Sequence, residues 1–154
     1  MLRRRGLIVA PLLAAASPEP EAITVAIGQA FTLRAPPGTV FTRGAGDSVV
    51  AGTLSGVDFA LTVDLGVHAD PLDGQADGAL LRRVAVTIDG KAGWIALWRT
   101  ARGGWPFRVG LHVPVIAPTP IGALRLTISG QVADEKAAAR VETMLRTIRF
   151  PPLP

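Results

Sequence analysis

The stretch Leu124-Arg-Leu-Thr-Ile-Ser-Gly-Gln-Val-Ala-Asp-Glu-Lys-Ala-Ala-Ala-Arg-Val-Glu-Thr-Met-Leu-Arg-Thr-Ile-Arg-Phe150 changes its hydrophobic period part-way along, and that change decides the fold. From Leu124 to Ser129, Leu124, Leu126 and Ile128 alternate with Arg125, Thr127 and Ser129, the pattern of a half-buried strand. From Asp134 to Ile148 the apolar positions Ala137, Val141, Met144, Leu145 and Ile148 recur at helical spacing, with Lys136, Arg140 and Glu142 mainly on the other side. Asp134 is placed to cap the first turn, Arg146 and Arg149 suit the negative end of the helix dipole, and Pro151 and Pro152 end the helix. An amphipathic helix that follows a strand so closely is expected to lie on the face of that strand's sheet.

Upstream, every legible element has the strand period. Phe107, Val109, Leu111 and Val113 alternate with Arg108, Gly110, His112 and Pro114. Ala92 to Thr100 is apolar on both sides, Ile95 and Leu97 against Trp94, Ala96 and Trp98, which predicts a strand in the middle of a covered sheet. Val84, Val86 and Ile88 share one side and run into Asp89-Gly90, a two-residue hairpin signal. Residues 65 to 81 are loop-like. Ser48 to Leu54 and Val57 to Asp64 predict a hairpin across Ser55-Gly56, with Val57, Phe59, Leu61 and Val63 on one side. Phe31 and Leu33 share a side, and Ala35-Pro36-Pro37-Gly38 stops that strand. The expectation is an α+β domain, an antiparallel sheet of six to seven strands with a C-terminal helix packed on one face.

The N-terminus reads differently. Arg3, Arg4 and Arg5 precede a short apolar run, Leu7 to Leu13, that ends in Ala14-Ala15-Ala16. A cationic start, a short apolar centre and small residues at the end predict a secretory signal peptide over 1–16, followed by a flexible leader over 17–22, one domain over 23–150 and a Pro-rich tail over 151–154. The run is too short to span a bilayer, which needs roughly 20 apolar residues. Export without a transmembrane anchor implies the periplasm or the extracellular space.

The chain has 154 residues, 49% of them hydrophobic and 18% charged, which excludes disorder and allows one domain. With no cysteine, it is not a disulfide scaffold, a zinc-thiolate site or a thiol enzyme. The formal charge of +4 comes from 16 basic and 12 acidic residues; without the three leading arginines 13 basic residues remain, a net of +1. A near-neutral chain gives no electrostatic reason to expect nucleic acid.

Several local features occur in a telling order: Phe31-Thr32-Leu33-Arg34-Ala35-Pro36, Gly46-Asp47-Ser48, Asp64-Leu65-Gly66, Asp70-Pro71-Leu72, Ile88-Asp89-Gly90-Lys91-Ala92, and the closing helix that runs into Ile148-Arg149-Phe150. This order is similar to small exported bacterial proteins and resembles the PsbP-like family in particular. The resemblance covers roughly residues 23 to 150. It implies an antiparallel sheet covered by helices and a binding or accessory role beside a protein of the cell envelope. It carries no functional residue across, and only one helix is legible in this chain.

Two clusters carry candidate chemistry. The loop from Asp64 to Asp77 holds Asp64, His68, Asp70, Asp73 and Asp77, a set of oxygens and one imidazole that would suit Ca²⁺ or Zn²⁺, although the spacing is not that of an EF-hand and Asp-Gly and Asp-Pro are ordinary turn formers. Trp94, Trp98, Arg102, Trp105 and Arg108 interleave aromatic and cationic groups, which suits either a partner or ligand platform or, for Trp94 and Trp98, plain core beneath the helix. Trp105, in Gly103-Gly104-Trp105-Pro106, is the one expected to be exposed. Nucleophilic catalysis has no motif behind it. Ser48, His68 and Asp64 can be drawn as a triad for a weak serine hydrolase, but triads are recognised by geometry. His112 is expected to be a satisfied residue of the sheet. The leading expectation is thus a non-enzymatic binding protein, with a small-ligand or metal carrier as the alternative.

Overall fold

A computed structural model describes residues 20–72, 78–101 and 103–152. The expected signal peptide, residues 17–19 of the leader, residues 153–154 of the tail, Asp73, Asp77 and Arg102 lie outside the described residues. The chain runs β1 (Ile23–Ile27), β2 (Phe31–Ala35), β3 (Val40–Arg43), β4 (Val50–Ser55), β5 (Phe59–Gly66), β6 (Gly78–Ile88), β7 (Lys91–Thr100), β8 (Phe107–Thr119), β9 (Gly122–Val132) and α1 (Glu135–Arg146). β1 and β2 form a two-stranded sheet, and the others form a seven-stranded antiparallel sheet in the order β3-β4-β5-β9-β8-β7-β6. This is the expected α+β arrangement, with two strands, β1 and β3, that the sequence patterns do not reveal.

The period-two residues do what alternation requires. Leu61, Val63 and Leu65 of β5, Val109, Leu111 and Val113 of β8 and Leu126 and Ile128 of β9 form one buried face. Against it lie Ala137, Ala138, Val141, Met144 and Leu145 of α1, together with Ile27, Phe31 and Leu33 of the small sheet. Asp134 caps α1, its carboxylate accepting from the Ala137 N–H at 2.7 Å. The helix stops at Arg146, earlier than the prolines require, because the next residues join β2: Thr32 and Arg149 exchange backbone hydrogen bonds of 3.0 and 2.9 Å. Glu142 is not on the open side of the helix. It is 7% exposed and pairs with Arg82, which reaches it from β6.

The Asp89-Gly90 turn is as expected, with φ of 48° and 79°, the left-handed pair of a type I′ hairpin. Three details differ from the sequence reading. Val57 belongs to the turn before β5 and is 95% exposed. β6 begins at Gly78, well inside the segment read as loop, and a register shift between Leu80 and Arg82 breaks its alternation. β7 is penultimate rather than central, with β6 outside it.

Candidate functional site

The helix covers one face of the large sheet, and the other face gathers most of the residues with chemical character. Register places Asp64 of β5, Thr127 of β9, His112 of β8 and Trp94 of β7 side by side across it. Next to them run Ser129 and Gly110, then Gln131, Arg108 and Trp98. His112 is buried, and its Nδ1 lies 2.9 Å from Thr127 Oγ1. The Thr127 hydroxyl donates its one hydrogen to the Asp70 carbonyl at 2.6 Å. It therefore accepts from His112, which fixes the imidazole as the Nδ1–H form.

The Asp70 contact ties down the segment that follows β5, which folds back over this face. Ala69 and Leu72 are buried. The Leu72 N–H donates to Asp70 Oδ1 at 2.7 Å, and Leu72 is held at a φ of 64°, unusual for a branched side chain. Leu72, Ala96 and Trp98 make a second, small core with Trp94 at its edge. Gly110 permits this approach: a Cβ there would stand 2.6 Å from Leu72 Cδ1 and 2.9 Å from the Trp98 ring. Trp94 is half-buried, with the Arg83 guanidinium 3.9 Å from its ring centroid, a cation–π contact. Between these groups opens a cleft of about 220 Å³ whose walls include Leu72, Leu80, Arg83, Trp94 and Trp98. Leu80 is exposed in this wall, and Leu81, at the register break that follows it, is exposed as well.

The structure thus separates the two sequence-level clusters differently from expectation. Trp98 is core, 6% exposed, but its cover is the segment after β5 and not the helix. Trp94 and Arg108 share its face. Arg108 donates to Ser129 Oγ at 3.0 Å, and its Nε is buried with no hydrogen-bond partner among the described residues. Trp105 does not join them. It is half-buried in the β7–β8 turn, where its carbonyl accepts from Thr100 Oγ1 at 3.0 Å.

In the acidic set, Asp64 Oδ1 accepts from the Ser48 hydroxyl at 2.6 Å, Asp70 serves its own turn, and His68 is exposed. Among the described residues no group of three or more His, Asp or Glu side chains is placed to hold a metal ion. Ser48 and Asp64 meet directly, whereas a catalytic triad needs an imidazole between hydroxyl and carboxylate.

Arg83, Leu72 and Leu80 were not singled out by sequence. The alternation of Val84, Val86 and Ile88 points back toward Arg82-Arg83, and the bulge at Leu80 hides the rest.

Neither a protein-family model nor a curated protein matches the chain in sequence. In structure it is similar to cyanobacterial PsbP (CyanoP) from Synechocystis sp. PCC 6803, known from a solution structure, with a TM-score of 0.55 at 12% identity over 95% of this chain and 100% of that one. The fold is therefore PsbP-like, as the order of motifs implies. No described helix is long and apolar enough to cross a membrane.

Proposed function

We propose that the chain is an exported, non-enzymatic accessory protein that binds a protein partner of the cell envelope through the face carrying Trp94. The observation that carries this reading is the arrangement at the β6–β7 edge. There a half-buried tryptophan is braced by Arg83 and opens onto a cleft of mixed polar and apolar lining whose wall includes the exposed Leu80. Aromatic and arginine anchors beside exposed leucines are the usual centre of a protein contact. The PsbP-like fold supports an accessory role, and the arginine-led, alanine-ended N-terminus supports export. The test is capture of the tagged protein from the envelope of its own host, with native mass spectrometry of the eluate. A stoichiometric envelope protein is expected, and Trp94→Ala should weaken its binding at least about tenfold, roughly 1.4 kcal/mol. Capture unaffected by Trp94→Ala and Leu80→Asp refutes the assigned surface.

A second reading rests on the cleft itself, which at about 220 Å³ has room for a small ligand between Trp94 and Trp98. A bare chain with a small added mass would favour it. Carriage of Ca²⁺ or Zn²⁺ by the Asp64–Asp77 segment is tested by calorimetric titration, where no heat at millimolar metal ends that idea.

A further inference from the structure

The β8–β9 ladder continues past both of its neighbours. β7 pairs with β8 only as far as Trp94–His112, and β5 pairs with β9 only as far as Gly66–Arg125. Beyond them β8 and β9 pair only with each other, from Ala117–Leu124 to Thr119–Gly122. Residues 113 to 124 of this arm carry no charged side chain. Ile116 and Leu124 turn inward onto the main core, whereas Val115 is 56% and Ile121 80% exposed. An exposed isoleucine and valine on an uncharged arm already ask for an apolar environment.

The backbone at the tip is prepared for one. Pro118 and Pro120 have no N–H to satisfy. The Ile121 N–H donates to Thr119 Oγ1 at 3.4 Å, and the same hydroxyl donates to the Gly122 carbonyl at 2.5 Å. A single threonine side chain thus satisfies one N–H and one carbonyl that a turn ordinarily gives to water, and this lowers the cost of moving the tip toward hydrocarbon. Pro114 and Pro118 also make the β8 edge of the arm a poor site for an added strand.

Charge specifies the surface. From Gly90 to Ala133 the sequence contains no aspartate or glutamate but has Lys91, Arg99, Arg102, Arg108 and Arg125. Lys91 and Arg125 stand at the end of the sheet from which the arm extends; the nearby Asp89 has Arg149 at 4.0 Å and accepts from the Phe150 N–H at 2.8 Å, and the Lys91 ammonium lies 5.6 Å from the Phe150 ring centroid. We propose that the tip of the β8–β9 hairpin, Ile121 with Val115 and the two prolines, inserts into the interface of an anionic phospholipid bilayer, with Lys91 and Arg125 meeting headgroup phosphates. Shallow burial of an apolar element plus attraction of basic groups to anionic lipid is sufficient for reversible binding. This site is separate from the Trp94 face.

The chain has no cysteine, so Ile121→Cys in the full-length protein takes one environment-sensitive fluorophore, and Thr53→Cys on β4 gives a control position. With vesicles mixing phosphatidylglycerol and phosphatidylcholine, the label at 121 is expected to shift to the blue with a several-fold rise in intensity, while the label at 53 does not respond. Added salt should reverse the effect, and Val115→Asp in the labelled chain should abolish it. Circular dichroism of each variant confirms that the fold is kept. No response at millimolar lipid overturns the proposal. An equal response to pure phosphatidylcholine overturns the role of the basic residues. A response to a purified envelope protein but not to vesicles makes the arm a protein contact and overturns the membrane assignment.

Discussion

Replacing Thr127 by valine keeps the shape of the side chain and removes one hydroxyl. That hydroxyl joins three elements: it accepts from His112 Nδ1 on β8 at 2.9 Å, donates to the Asp70 carbonyl at 2.6 Å, and belongs to β9. Thr127 and His112 are both buried, so in Thr127→Val the Nδ1–H loses its acceptor out of reach of bulk water, at a cost of about 1–3 kcal/mol. The Asp70 carbonyl belongs to an exposed residue and is rehydrated, so its share is nearer 0.5 kcal/mol. The total expected is about 2 kcal/mol, or a fall of roughly 8 °C in Tm for a domain of this size. The damage should also be local. Asp70 anchors the segment whose Leu72 covers Trp98, so loosening it wets a buried indole and shifts tryptophan emission to the red before global unfolding. Urea titration followed by both fluorescence and circular dichroism checks this, with Thr127→Ser as the control that keeps the hydroxyl. A loss below about 0.5 kcal/mol, or a valine variant whose emission matches the parent, would refute the view that this hydroxyl holds the cover over the Trp98 face.

Other outcomes follow from single contacts. Gly130→Ala should cost roughly 3 kcal/mol or prevent folding, because its Cβ would lie 2.0 Å from the Ala60 carbonyl oxygen and 2.7 Å from Leu61 Cα, backbone atoms with no room to retreat; thermal melting measures it. Asp134→Ala removes the helix cap and should lower stability by about 1 kcal/mol in the same assay, whereas Asp134→Asn should recover most of it. Arg82→Ala should cost about 1–3 kcal/mol in the same assay, since Arg82 is 47% exposed but its partner Glu142 is only 10% exposed and would be left without its cation.

Much of this architecture is legible residue by residue because it is decided locally. The spacing of Ala137, Val141, Met144 and Leu145 can bury one side only as a helix, and Asp134 marks where that helix starts. Asp89-Gly90 can hardly be anything but a tight hairpin turn, since its left-handed backbone suits that pair. The two-sided apolarity of residues 94–98 announces that both faces of β7 are covered. Alternation is symmetric, however, and does not say what covers which face. That choice belongs to long-range packing: Gly110 leaves space on one face of β8, Leu72 fills it, and the Thr127 hydroxyl pins Asp70 above it, so a segment that reads as solvated turns becomes the lid of a second core. Register likewise brings Ser48 to Asp64 without a histidine between them, and places Arg83 on Trp94 across the β6–β7 hairpin. The start of β6 before its register break and the two short strands β1 and β3 escape the sequence for the same reason, since their hydrogen-bond partners, and not their own residues, hold them in place. Local period and turn chemistry determined the elements and their order; only the tertiary structure decided which faces were closed and which surface was left open to bind.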